Sequence, residues 1–497
     1  MACELFAAKL LAPYFGTSLY IWAAVLGLTL GGLTIGYFVG GKLSKAYHQK
    51  PELLYSILIL AGALLAIMPY SSHMIMNAMS DSSLSTGAIF SLLIYMVPPL
   101  SLMGMVSPVI INLVTKEASS SGNSAGNVYA ISTLGGILFT FLMGFYVIPN
   151  YGIKMPSLIS GLLLAFFPII SLLTKGKFKV LIFAIPLFIM SMTFKSNSEF
   201  SDEYQILYES EGILGQIKVV DHPAYEFTAD NRPGRALIVN NTLQSYASLN
   251  ENLEYSIWEW SHYYPAAASI FPPKSRVLLL GLGGGTLIKQ LNRLSFDVDV
   301  VEIDERVGKV CKQFFGVDPD LDIIIDDARH YIRTTQNTYD IIIYDTFLGE
   351  SVPEHLLTKE GIQDAQKILK SDGMIMSNFY GFINGEAGYA ARSVLKTYEA
   401  AEMNTNILAT PGDEESRNLI FLASKNQLTF DELSFQEGRS DTIKNIKKLF
   451  IDRKTIDMAD SEILRDNKPK LSKLYAKAAM SWKSSYNQYY KKHFKLD

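Results

Sequence analysis

Apolar positions run almost unbroken through five stretches of the first 200 residues: Tyr20–Gly41, Glu52–Ser71, Ala88–Val114, Gly126–Ile148 and Met155–Leu173. A helix rises 1.5 Å per residue, so each can cross hydrocarbon about 30 Å thick. Phe178–Phe194 is a marginal sixth, with Pro186 inside it. The opening stretch, Met1 to Tyr14, is apolar but too short to span. It lacks a basic start and a small-residue cleavage site, so it reads as the end of a helix or as an interfacial segment rather than a signal peptide. After Lys195 the pattern becomes that of a water-soluble protein. Tyr204–Tyr208, Ile213–Val220, Ala236–Asn240 and Leu243–Ser248 read as short antiparallel strands between Pro-containing turns. Trp258, Trp260, Tyr263 and Tyr264 fall on a helix expected to run to Pro265, with core packing the favoured role.

From Arg276 onward, apolar strands alternate with amphipathic helices, the pattern of a parallel sheet covered on both faces. The strands are Arg276–Leu280, Val298–Ile303, Asp322–Asp326, Tyr339–Asp345, Gly373–Asn378 and Asn418–Ala423. The fold class is therefore an N-terminal polytopic α-helical domain followed by a small antiparallel β unit and an α/β Rossmann-like domain. The boundaries expected are 1–200, 201–265, 266–435, and a basic helical tail over 436–497.

Charge follows the same division. Residues 1–200 hold ten Lys, no Arg and five acids; the remainder holds 34 basic and 43 acidic side chains. This excludes a disordered chain and a purely soluble enzyme. Two cysteines exclude a disulfide framework or a Cys-rich metal site, and a net charge of −4 gives no reason to expect nucleic acid. Lys42, Lys45 and Lys50 follow the first span, Lys116 the third, and Lys175, Lys177 and Lys179 the fifth. Basic loops of one parity mark the cytoplasmic side. A crossing by Phe178–Phe194 would put the soluble half outside; a re-entrant or interfacial course keeps it cytoplasmic, which is the reading adopted. Gly27, Gly31, Gly32, Gly36 and Gly40 let another helix approach the first span, as an intramolecular neighbour or, alternatively, in a homodimer. No span carries a mid-membrane charge, and no internal repeat is visible, which counts against transport.

The chemistry lies at strand ends. In open α/β sheets, ligands bind outside the carboxyl ends of the strands. Here those ends carry Gly281, Gly283, Gly284 and Gly285, then Glu302, then Asp327 with Ala328, then Asp345. Glycines admit a ligand close to the backbone, and Glu302 sits where a carboxylate accepts ribose hydroxyls. Asp327 is placed to receive an adenine amino group. The loop lacks G-x-G-x-x-G spacing, which favours a nucleoside such as S-adenosylmethionine over NAD.

These residues make the soluble half resemble the spermidine synthase (aminopropyltransferase) family, and the whole chain looks like its membrane-fused bacterial branch. The resemblance rests on Leu11 to Ser18, Gly36 to Gly41, Tyr129 to Gly135, Gly281–Gly285, Val301 to Asp304, Asp327-Ala328, Tyr339 to Asp345, and Val352 to Glu360. It implies S-adenosylmethionine or its decarboxylated form as co-substrate, no metal, and an amine or membrane-associated acceptor, in a protein of the bacterial inner membrane. It implies that Gln216 and Glu302 contact the donor, that Asp327 takes the adenine, and that Asp345 draws a proton from the attacking amine. Tyr255 stands for the family's site tyrosine. The sequence departs from the family pattern where Gly284 and Leu348 replace acids and Ile257 a glutamate, with Glu350 and Glu354 as candidates to compensate. Methyl transfer is the first rival, and a transporter or sensor with a non-catalytic nucleoside domain the second.

Overall fold

The computed structural model describes residues 2–15, 19–47, 50–79, 84–115, 121–177, 179–193, 204–212, 214–222, 232–346, 353–415, 417–431, 433–435, 443–475 and 478. The chain divides into two compact units. The first, in its described part, is helical: Ala2–Phe15, Leu19–Ala46, Pro51–Met79, Leu84–Tyr95, Val97–Val114, Ser121–Tyr151, Lys154–Thr174 and Lys179–Thr193. Five of these helices are long and apolar enough to cross a membrane, at the five places the hydropathy pattern indicates. One expected span is interrupted. Ala88–Val114 breaks at Met96, where Pro98 and Pro99 supply no N–H to continue the preceding turn. The helix from Ser121 widens into a π-turn at Leu142–Val147.

Glycines set how closely these helices pack. A Cβ on Gly36 would strike the Ser101 carbonyl and Gly104, and one on Gly40 would lie 2.7 Å from Met105 Cα. One stripe of the first span is thus consumed within the chain, by helix Val97–Val114. Gly27 and Gly31, on the adjoining stripe, have nothing within 4 Å. Leu84–Tyr95 and Lys179–Thr193 are the shorter apolar helices.

After the apolar helices, strands β1 (Gln205–Gly212), β2 (Gly215–His222), β3 (Gly234–Val239) and β4 (Thr242–Ser248) form a sheet in that order, with β2/β3 and β3/β4 antiparallel. The aromatic segment then forms a 3₁₀ turn, Glu259–His262, and a helix, Tyr263–Ala268. Pro265 does not end that helix, because proline is tolerated in a first turn, where its N–H would be unpaired anyway. Tyr263 and Tyr264 are fully buried, in keeping with core packing.

The large sheet comprises β5 (Arg276–Leu280), β6 (Asp297–Glu302), β7 (Ile323–Ile325), β8 (Tyr339–Tyr344), β9 (Leu369–Tyr380), β10 (Asn404–Ala409) and β11 (Asn418–Ser424), ordered β10-β11-β9-β8-β5-β6-β7. It is mixed rather than wholly parallel: β11 runs antiparallel to both its neighbours. Alternate residues serve opposite faces. Leu278, Leu280, Ile342 and Tyr344 enter one core with Ile362 and Val394; Val277, Leu279, Ile341 and Ile343 enter the other with Leu291, Val310 and Tyr264. Between β5 and β8 the strand order reverses, so a crevice opens at their carboxyl ends.

The expected helical tail is different in its described part. Residues 443–470 are 3₁₀ turns, isolated bridges and irregular chain, helix appears at 471–475 and 478, and Ile443, Ile446, Leu464 and Leu471 are buried in the two cores. The basic-aromatic stretch from 479 lies outside the described residues.

Candidate active site

The crevice is built from four neighbouring strand ends. After β5 the chain turns through Gly281, Gly283 and Gly285 at positive φ, a conformation glycine adopts without Cβ strain, and enters helix Thr286–Arg293. Gly281 answers to a specific neighbour, because a Cβ there would meet the Asp345 carbonyl. The two residues lie side by side because Asp345 N donates to Leu280 O at 2.9 Å.

Glu302 ends β6, buried at 8% exposure. Its Oε2 accepts Leu282 N at 3.0 Å and its Oε1 accepts Asp304 N at 2.9 Å. Burial raises its pKa, against the pull of those backbone donors. The Ile303 N–H also acts on the carboxylate, so of its roughly four lone-pair directions these donors leave at least one for a ribose hydroxyl. Asp327 caps helix Ala328–Thr334: Oδ1 accepts from Arg329 N at 2.9 Å and His330 N at 3.0 Å. Ala328 is the first residue of that helix. The other oxygen, Oδ2, is 3.4 Å from His355 Nε2.

Asp345 follows β8 and is half-buried. Desolvation lifts its pKa from 3.8 to about 6, and a hydrogen bond from Asn378 moderates the rise. Asn378 comes from β9 and is held in turn by Asn418 of β11. Nothing in the strand pattern marks Asn378 as a site residue; its partnership is a product of sheet register, in which Tyr344 pairs with Ser377.

The structure thus brings Gly281, Gly283, Gly285, Glu302, Asp327 and Asp345 to one crevice. The Tyr255 ring packs on buried His262, with centroids 4.5 Å apart. Tyr263 and Tyr264 are the buried tyrosines that share a core face with the strand behind Asp345, and the Tyr264 hydroxyl has no hydrogen-bond partner among the described residues. The Tyr264 pKa is pushed well up, by burial first and by the Asp345 charge second. Gln216 is the second residue of β2, in a stretch that clusters with the apolar unit. Glu354 accepts Ser472 N at 2.5 Å, which makes it a structural tie. Leu348 and Glu350 lie outside the described residues. Among the described residues no group of three His, Cys, Asp or Glu side chains could hold a metal ion.

Residues 266–430 match the family described as the spermine/spermidine synthase domain. The polyamine aminopropyltransferase of Thermoplasma volcanium is 30% identical over 188 residues, 36% of this chain and 67% of that protein. The chain belongs to the spermine/spermidine synthase domain family. Another family member, the polyamine aminopropyltransferase of Vibrio vulnificus, is 35% identical over 122 residues, which cover 23% of this chain and 41% of that relative. The match therefore spans less than half of the Vibrio enzyme's length. A solved spermidine synthase from Thermotoga maritima has a TM-score of 0.37 at 18% identity, covering 50% of this chain and 86% of that one.

Proposed function

We propose that this chain is a membrane-embedded aminopropyltransferase that uses S-adenosylmethionine or its decarboxylated form and an amine acceptor. One observation carries the reading: Asp345, beside Gly281 at the strand-order reversal, is a carboxyl with a pKa near 6 held by an asparagine. An alkylammonium is no nucleophile, so a positioned base must take its proton before attack. The amine nitrogen then bonds to the donor carbon next to the sulfonium, and the carbon–sulfur bond breaks. Its electron pair stays on sulfur, methylthioadenosine departs, and the proton rests on Asp345. Glu302 would hold the ribose, and Asp327 the adenine.

Five apolar helices support insertion in a bilayer. Helix Lys179–Thr193 has 15 residues, about 22 Å of rise against roughly 30 Å of hydrocarbon. That described length favours an interfacial or re-entrant course, and with it our reading that the catalytic unit belongs to the side of the basic loops, the cytoplasm.

The test is to incubate the full-length protein, in detergent, with labelled donors and an amine mixture and to identify the nucleoside formed. Amine-dependent methylthioadenosine supports chain transfer. Adenosylhomocysteine instead would establish methyl transfer, and no product from any mixture would sink the enzymatic reading.

A further inference from the structure

The match to the family domain ends at residue 430, yet residues 443–475 fold back over one face of the catalytic domain as a strap. On the sheet edge Ile451 N donates to Ile407 O of β10 at 2.9 Å. On helix Tyr389–Ala400, Asp460 Oδ2 accepts Arg392 Nη2 at 2.6 Å. The strap then reaches the crevice side, where Lys359 N donates to Leu464 O at 2.9 Å. There Asp466 stands in a tight turn that Lys468 N closes by donating to Arg465 O at 3.1 Å. Its two oxygens serve different elements: Oδ1 accepts the Thr358 hydroxyl at 2.6 Å, and Oδ2 accepts Arg329 Nη2 at 3.1 Å. Arg329 is the second residue of the helix that Asp327 caps, and its Nη1 donates to the His355 carbonyl. Thr358 itself caps helix Lys359–Ile368, and Glu354 accepts Ser472 N at 2.5 Å. The turn from Glu354 to Thr358 is thus pinned to the strap at both ends, beside Asp327.

Charge balance separates anchoring from positioning. The Arg329 side chain is only 7% exposed, and a buried cation needs a partner. Its inner partner, Asp364, accepts Arg329 Nε at 2.9 Å but also Arg333 Nε at 2.8 Å and Lys367 Nζ at 2.7 Å, so one carboxylate serves three cations. Asp466 supplies the second negative charge from the strap. Without it Arg329 keeps Asp364, and the link between the strap and the turn is what is lost.

We propose that Asp466 is a positioning residue for the nucleoside donor, acting through Thr358 and Arg329 to hold the Glu354–Thr358 turn against the helix that Asp327 caps. The inference rests on the nucleoside-donor reading above. It gives a part in the site to a segment outside the matched domain. Asp345 is oriented by Asn378 and Asn418 in the sheet, so the strap acts on the donor side and not on the base.

Calorimetry on the full-length protein in detergent, with methylthioadenosine as probe and melting curves alongside, tests it. Asp466→Ala should weaken methylthioadenosine roughly tenfold. Asp466→Asn, which keeps an acceptor for the Thr358 hydroxyl, should recover part of the loss. Asp460→Ala breaks a strap pair that touches neither Thr358 nor Arg329; it should lower the melting temperature and leave affinity within about twofold. In turnover assays Asp466→Ala should raise the donor KM and leave kcat within about twofold. Unchanged affinity in Asp466→Ala, or affinity losses in both Ala variants that track their melting temperatures, overturns the assignment. Wild-type protein that does not bind methylthioadenosine overturns it together with the donor-pocket reading. Binding that depends on Asp466, without amine-dependent turnover, leaves Asp466 in place and removes only the proposed reaction.

Discussion

Asn378 Nδ2 lies 3.1 Å from Asp345 Oδ1, and Asn418 Nδ2 lies 2.9 Å from Asn378 Oδ1. The second bond fixes the first, because it demands that the Asn378 amide present its oxygen to Asn418 and its nitrogen to the acid. Asp345 consequently has one oxygen occupied and one available, with the available one held at a set angle. Asn378→Ala should release that orientation and remove a bond that favours the carboxylate. Turnover should fall roughly tenfold, the lower pH limit of activity should move up, and donor affinity should stay within about twofold. An unchanged pH profile would show that Asn378 does not govern the base.

Asp345→Asn should reduce turnover by roughly 10²–10⁴-fold with donor binding nearly intact. In the wild type, activity should fall as pH drops through about 6, since only the carboxylate accepts a proton. Stability moves the other way. The folded pKa is raised above the ordinary 3.8, so the folded state holds the proton more tightly than the unfolded chain does. The stability from this group is full below 3.8 and is lost as pH rises to about 6. Asp345→Asn should therefore be the more stable protein at pH 8, by at most roughly 3 kcal/mol, with the advantage gone in strong acid. Paired melting curves at the two pH values check the sign.

Glu302→Gln replaces an acceptor-only group with one that carries an NH₂, and both of its oxygens now accept backbone N–H groups. One of those bonds must be lost whichever way the amide turns. Methylthioadenosine affinity should drop by about 1–3 kcal/mol, and the melting temperature should fall as well. Unchanged affinity by calorimetry would remove Glu302 from the pocket.

The strand-end acids were legible because each closes a short, nearly continuous apolar run, and parallel strands bring all of those ends to one edge. Glycine positions in the first span were legible too, but their division into a buried and an open stripe was not. That depends on which helix arrives, and Val97–Val114 begins only after a break at Met96. Strand β10 went unread because Asn404, Thr405 and Asn406 resemble a turn; pairing with β11 overrides their weak propensity. The relay from Asn418 to Asp345 joins residues 73 positions apart, beyond the reach of any local pattern.

Gly36→Leu should be far more damaging than Gly31→Leu. The first drives a side chain into the Ser101 carbonyl and Gly104, and the second meets open space. Overpacking of this kind costs about 1–3 kcal/mol or more. Thermal stability in detergent reads the contrast, and equal effects would mean that these helices pack by another stripe.

Donor choice turns on Gly284 and Ser245. An acid at 284 would attract the lone amine of decarboxylated S-adenosylmethionine and repel the carboxylate of the intact molecule, and glycine removes that repulsion. Two like charges 4 Å apart interact by roughly 4 kcal/mol at an effective dielectric of 20. The space is not empty, however. A Cβ at 284 would lie 2.7 Å from Ser245 Cβ and 3.2 Å from Phe315 Cδ1, and Ser245 Oγ accepts Gly284 N at 2.7 Å. Gly284→Asp alone should therefore strain the loop and weaken both donors. Combined with Ser245→Gly, it gains room, and the new carboxylate stands near the backbone N–H that Ser245 vacates. The double variant should favour the decarboxylated donor, and the wild type should bind the two forms within a hundredfold, about 2.7 kcal/mol. A wild type already more selective than that for the decarboxylated form would mean that another acid fills the missing role.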